Sequence, residues 1–141
     1  MSLWVHPQQL TPLSTTFFGA RDPDNWVSLL PRGHEWVNHD TMLWSGTAWY
    51  DAGTGMKMEE GEWTHLAFAV DQGSVTVYVD GEAKYNGSGF PNVFTTASGT
   101  FSLGVNWWDP AFVGKMDELL IFTEALSADR VSELAAAAPN S

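Results

Sequence analysis

Asn106-Trp107-Trp108-Asp109-Pro110 places two adjacent indoles between an amide and a carboxylate. The apolar face of a pyranose stacks on an indole, and its hydroxyls seek polar groups of this kind. Two neighbouring Trp between strands cannot both enter a core easily, so at least one is expected at the surface. The segment is therefore a candidate sugar platform; the alternative is a plug packed over one end of the domain. Trp26 directly follows Arg21-Asp22-Pro23-Asp24-Asn25 and is expected to meet the same surface, with Arg21 and Asp22 offered to hydroxyls.

Catalytic constellations are missing. Glycoside hydrolysis needs two carboxyl groups held about 5–10 Å apart. Glu59, Glu60 and Glu62 flank Gly61 in a polar turn and read as a solvated face. Asp117 and Glu118 are adjacent, and neighbours on a strand face opposite ways. No Gly-x-Ser-x-Gly elbow accompanies the four histidines. His65 is in phase with Trp63 and Ala67 and reads as a hydrogen-bonded core histidine. His34, His39 and Asp40 are zinc-type donors without a second anchor. Asp22, Asp24 and Asn25 are rich in oxygen, but such residues ordinarily just make a turn. The expectation is a protein that is not an enzyme.

The elements that must carry these residues are short and aromatic. Strands are expected at Ser2–His6, Thr15–Ala20, Trp26–Leu30, within Thr41–Tyr50, at Glu62–Val70, Ser74–Asp80 and Thr100–Val105. Asp51–Gly55 reads as a loop. Glu62–Val70 is apolar on both faces, as in a strand buried on both sides. Asp71-Gln72-Gly73 is a turn, and Asp80-Gly81 is a strong hairpin signal. In the last strand Phe112, Gly114 and Met116 are in phase, whereas Leu119 and Ile121 are one residue out of step. Such a slip implies a β-bulge near Asp117-Glu118. Ser127 is an N-cap, Asp129 suits the first turn, and Leu126 with Val131 forms a hydrophobic staple for a helix over about 128–137. Trp4 and Trp63 are the expected core tryptophans; Trp36, Trp44 and Trp49 cannot be ranked.

Composition narrows the partners. The 141 residues suit one domain, 1–141, with 135–141 as a frayed tail. No repeat or linker interrupts it. Seventeen acidic residues against six basic ones give a net charge of −11, which argues against nucleic acid. Cysteine is absent, so neither disulfide nor thiolate metal site is available. No signal peptide is visible in Met1–Leu10, and no stretch nears the roughly 18 apolar residues that span a bilayer, so membrane insertion is not expected.

Taken in order, Trp63-Thr64-His65-Leu66-Ala67, Val77-Tyr78-Val79-Asp80-Gly81, Leu103-Gly104-Val105-Asn106, Phe112–Leu119 and Ala125-Leu126-Ser127 resemble the laminin-G-like, concanavalin A-like jelly rolls. Ser2-Leu3-Trp4-Val5 with Pro7 is similar to an early strand of that family. The resemblance implies an all-β fold: a jelly-roll sandwich of two antiparallel sheets with a short C-terminal helix. It implies a non-catalytic, lectin-like module binding a glycan or polysaccharide through Trp107, Trp108, Asn106, Asp109, Trp26, Arg21 and Asp22. A protein-interaction or structural domain without a sugar site is the rival, and a truncated orphan a third reading. Family habit implies an extracellular location and a structural calcium at Asp117. One or two leading strands of the family are lacking here, so an unpaired sheet edge and a homodimer covering it are expected.

Overall fold

The computed structural model describes residues 1–46, 49–91, 93, 100–122 and 124–137. Two five-stranded antiparallel sheets pack face to face. The strands are β1 (Ser2–Gln9), β2 (Phe17–Asp22), β3 (Asn25–Leu30), β4 (Met42–Ser45), β5 (Tyr50–Gly53), β6 (Thr64–Asp71), β7 (Ser74–Val79), β8 (Glu82–Gly87), β9 (Thr100–Leu103) and β10 (Val113–Leu120). The first sheet runs β10-β1-β6-β7-β8 and the second β5-β4-β3-β2-β9. A 3-10 turn spans Glu35–Val37, and helix α1 spans Ala128–Ala136.

Alternation builds the core. Leu3, Val5, Leu66, Phe68, Val75 and Val77 of the first sheet meet Phe17, Val27, Leu29, Leu43 and Ala52 of the second. β6 is buried on both faces, as its composition requires. Its inner residues enter this core, and Ala67 on the other face packs with Tyr78 under Val131 of α1. The Ser127 side chain accepts from the Arg130 amide at 3.2 Å, and Leu126 packs against the same cluster, as cap and staple predict.

Both predicted hairpin turns form. Gln72 and Gly73 link β6 to β7, and Asp80 and Gly81 link β7 to β8, all four with positive φ. Paired positive φ is the two-residue geometry that matches strand twist. The slip at the end of the chain is also present. Ser2 pairs with Leu120 but Trp4 with Asp117, and Glu118 has φ +53. The additional residue lets Met116 and Leu119 both reach the core.

Three expectations need correction. Asp51–Gly53 is no loop: it belongs to β5, where Tyr50 and Ala52 supply the inward alternation that four residues barely display. The strand expected within Thr41–Tyr50 is present as β4, which ends before Gly46, and residues 47 and 48 of that stretch lie outside the described residues. Trp63 is only half-buried, because it precedes β6 and packs edge-on against His6. His65 is buried against Trp4, but its Nδ1 has no hydrogen-bond partner among the described residues. The outer end of the predicted tail, 138–141, lies outside the described residues.

The two sides of the sandwich close differently. On the β5–β8 side the Tyr85 hydroxyl donates to the Tyr50 hydroxyl at 3.0 Å, and Tyr50 donates to the Ser88 carbonyl at 2.9 Å. On the other side β9 and β10 are edge strands, and Phe101, Leu103, Leu120 and Ile121 are exposed. A cleft of about 470 Å³ opens there, lined by Met1, Phe17, Phe68, Phe101, Ile121 and Phe122.

Candidate functional site

Since Phe17, Val27, Leu29, Leu43 and Ala52 point inward, alternation sends Phe18, Trp26, Ser28, Trp44 and Asp51 to the outer face of the second sheet. The strand register aligns them. Phe18 pairs with Ser28, Ser28 with Trp44, and Trp44 with Asp51, a straight row from β2 to β5. At strand spacings of roughly 4.8 Å this row covers about 14 Å.

Trp26 sits beside the row and is the hub of the face. Its ring centroid lies 5.1 Å from Trp44, 5.5 Å from Trp108, 6.1 Å from Phe18 and 6.4 Å from Trp49. Only 5% of Trp26 is exposed, because these rings cover it. Gly46 makes room beneath: a Cβ there would stand 2.2 Å from Trp26 Nε1. The result is an apolar cluster outside the sandwich core, on a face that in antiparallel sheets is commonly solvated.

One end of the cluster is the 106–109 loop. Asn106 Oδ1 accepts from the amides of Trp108 at 2.9 Å and Asp109 at 2.7 Å, and its Nδ2 donates to Asp109 Oδ2 at 2.7 Å. Asn106 and Asp109 thus hold the turn that presents the two indoles. Trp107 packs edge-on to Phe18 at 5.2 Å, and Trp108 leans on Trp26. Both remain about half exposed, at 46% and 53%. The loop therefore lies on the outer face rather than over an end of the core.

The other end is a cleft of about 450 Å³ lined by His34, Glu35, Trp36, Trp44, Trp49 and Asp51. His34 caps the 3-10 turn and lies 5.1 Å from Trp44, ring to ring. Its Nε2 is 2.8 Å from Asp51 Oδ1. Its Nδ1 is buried with no partner among the described residues. A lone pair left unpaired costs less than a buried N–H, so the hydrogen bond assigns the proton to Nε2, donating to Asp51. Ser28 Oγ and Trp44 Nε1 are likewise buried and unpartnered among the described residues. Trp36 and Trp49, at 82% and 66% exposure, form the rim.

The expected site residues separate into two groups. Trp26, Trp107, Trp108, Asn106 and Asp109 come together as described. Arg21 and Asp22 stand at the exposed end of β2, where Asp22 is occupied by its own turn. Its Oδ1 accepts from Asn25 Nδ2 at 3.0 Å and the Asp24 amide at 2.9 Å, and the Asn25 hydrogen bond leads in holding its carboxyl below the ordinary range. The sequence does not point to Trp36, Trp44, Trp49 or Asp51 as sugar-site residues, and it offers His34 only as a zinc-type donor. Their one local signal is the alternation itself, which sets Trp44 on the face opposite inward Leu43 and Asp51 on the face opposite inward Ala52.

Asp117, His34, His39 and Asp40 are each engaged by protein groups. Asp117 Oδ1 accepts from the Glu118 amide at 2.9 Å, and its Oδ2 is buried without a partner among the described residues. His34 binds Asp51, His39 Nδ1 meets the Gly33 carbonyl, and Asp40 pairs with Lys57. Among the described residues no group of three or more His, Cys, Asp or Glu could hold a metal ion.

Residues 1–132 match the Laminin_G_3 family model, described as the concanavalin A-like lectin/glucanases superfamily. The chain belongs to the concanavalin A-like lectin/glucanase superfamily. This superfamily member is similar to domain 4 of AbnA, a GH43 extracellular arabinanase from Geobacillus stearothermophilus, solved in complex with arabinotriose. The two share 55% identity and a TM-score of 0.90, over 95% of this chain and 64% of that one. The chain thus spans just under two thirds of that relative's length. A heptameric SAP-like pentraxin from Limulus polyphemus, at 18% identity and TM-score 0.73, covers 96% of this chain and 68% of its own, and shows the shared fold. No curated protein sequence matches the chain.

Proposed function

We propose that this chain is a non-catalytic carbohydrate-binding module that holds an arabinose-containing oligosaccharide on the outer face of its second sheet. The observation that carries the reading is the aromatic face itself, where exposed Trp49 and Trp108 pack on buried Trp26 and exposed Trp36 and Trp107 extend it. Sugar faces would stack on the exposed indoles, and Asp51 and Asp109 would accept from hydroxyls. The arabinotriose bound to the 55% identical relative supports the choice of sugar. That relative's extracellular origin supports the same location here. Calorimetric titration with arabinotriose tests the proposal: saturable binding is expected, and no heat from folded protein at millimolar ligand overturns it.

We also propose that the open side of the sandwich pairs with a second copy along β10. Two-fold antiparallel pairing about Met116–Asp117 would set Val113 against Leu120 and Lys115 against Glu118, apolar with apolar and positive with negative. Light scattering at tens of micromolar should give twice the monomer mass, and Leu120→Lys should restore the monomer. A monomeric mass for the unaltered chain removes the idea.

A further inference from the structure

We infer that this face takes a run of several neutral sugar units from within a polysaccharide chain, rather than a chain end. The inference rests on the sugar-binding reading above and adds the mode of binding. The face is a strip that ends on one side in the His34–Asp51 cleft. The row Phe18–Ser28–Trp44–Asp51 crosses four strands, over about 14 Å at ordinary strand spacing. Rings continue beyond it at each end, with Trp107 against Phe18 and Trp36 against His34.

Both ends finish in exposed indoles, Trp36 at 82% and Trp108 at 53%. The middle is floored by buried Trp26, which joins the two lobes through Trp49 at 6.4 Å and Trp108 at 5.5 Å. A ligand filling both lobes must be longer than one sugar ring, and the exposed rims at Trp36 and Trp108 leave it room to run on. The ionisable groups lining the cleft are Glu35, Asp51 and His34, and His34 is already bonded to Asp51. With a net charge of −11 behind them, these groups repel uronic acids and leave neutral chains as the class bound.

Titration calorimetry with arabinotriose, arabinohexaose and oligogalacturonate separates the cases. The hexasaccharide is expected to bind roughly tenfold tighter than the trisaccharide. Trp36→Ala and Trp108→Ala, both at exposed positions, should each reduce that advantage. Equal affinity for the two lengths overturns the inference and leaves sugar binding standing. Oligogalacturonate binding as tightly as arabinohexaose overturns the neutral class. Silence with all three, from folded protein, overturns the function itself.

Discussion

His34 Nε2 and Asp51 Oδ1 lie 2.8 Å apart and tie the 3-10 turn before β4 to the edge strand β5. The bond fixes the imidazole against Trp44 and shapes the wall of the cleft. Asp51→Ala leaves His34 without its partner and frees the turn that carries Trp36. Arabinotriose affinity should fall about tenfold, equal to about 1.4 kcal/mol. An unchanged far-ultraviolet circular dichroism spectrum would confirm that the fold survives; unchanged affinity would remove Asp51 from the site.

Gly46 packs against the Trp26 indole too closely for any side chain. Gly46→Ala must push Trp26 out of its place, with overpacking costing about 1–3 kcal/mol. A lower melting temperature is expected together with weaker sugar binding, because Trp26 supports both lobes. A loss of stability alone would show that the lobes do not depend on Trp26.

Trp107 and Trp108 rest on Phe18 and Trp26 yet keep about half of each ring in solvent. Replacing both by Ala should abolish binding while thermal unfolding stays cooperative. Retained affinity would confine the site to the His34–Asp51 cleft.

His65 is buried against Trp4, and burial lowers its pKa below the ordinary imidazole value, with Asp80 opposing. The unfolded chain therefore binds a proton at a pH where the folded chain does not, so stability rises with pH through that window. Below about pH 6.5, the unfolded value, the protein should lose stability as it is acidified. Thermal melts between pH 7.5 and 5 would measure the slope, which His65→Gln should flatten. An identical slope in the variant would assign the effect to other groups.

Ser127 receives the Arg130 amide at the start of the helix that covers Ala67 and Tyr78. Ser127→Ala should cost about 1 kcal/mol, read as a lower denaturant midpoint at constant slope. A midpoint within error of the parent would show that this cap contributes nothing.

Much of the fold is determined within short windows of sequence. Alternation marks β6 as buried on both faces. Asp80-Gly81 forces a hairpin because both residues take positive φ, and the phase slip between Met116 and Leu119 demands the bulge at Glu118. Ser127 caps its helix through a hydrogen bond three residues away. These signals are legible because backbone sterics and hydrogen bonding act between near neighbours. The short strand β5 was not legible, since Asp51 and Gly53 belong equally to loops.

The site lies on the other side of that divide. Asn106–Asp109 already suggests an indole platform, yet nothing local says that Trp108 comes to rest on Trp26, or that His34 finds Asp51. Those contacts exist because β3 lies between β2 and β4, and because the loop after edge strand β9 folds back across the sheet. Strand order is fixed by burying the common core, which involves the whole chain at once. Sequence therefore specified which side chains could bind a sugar, and the packing of the two sheets decided which of them stand together.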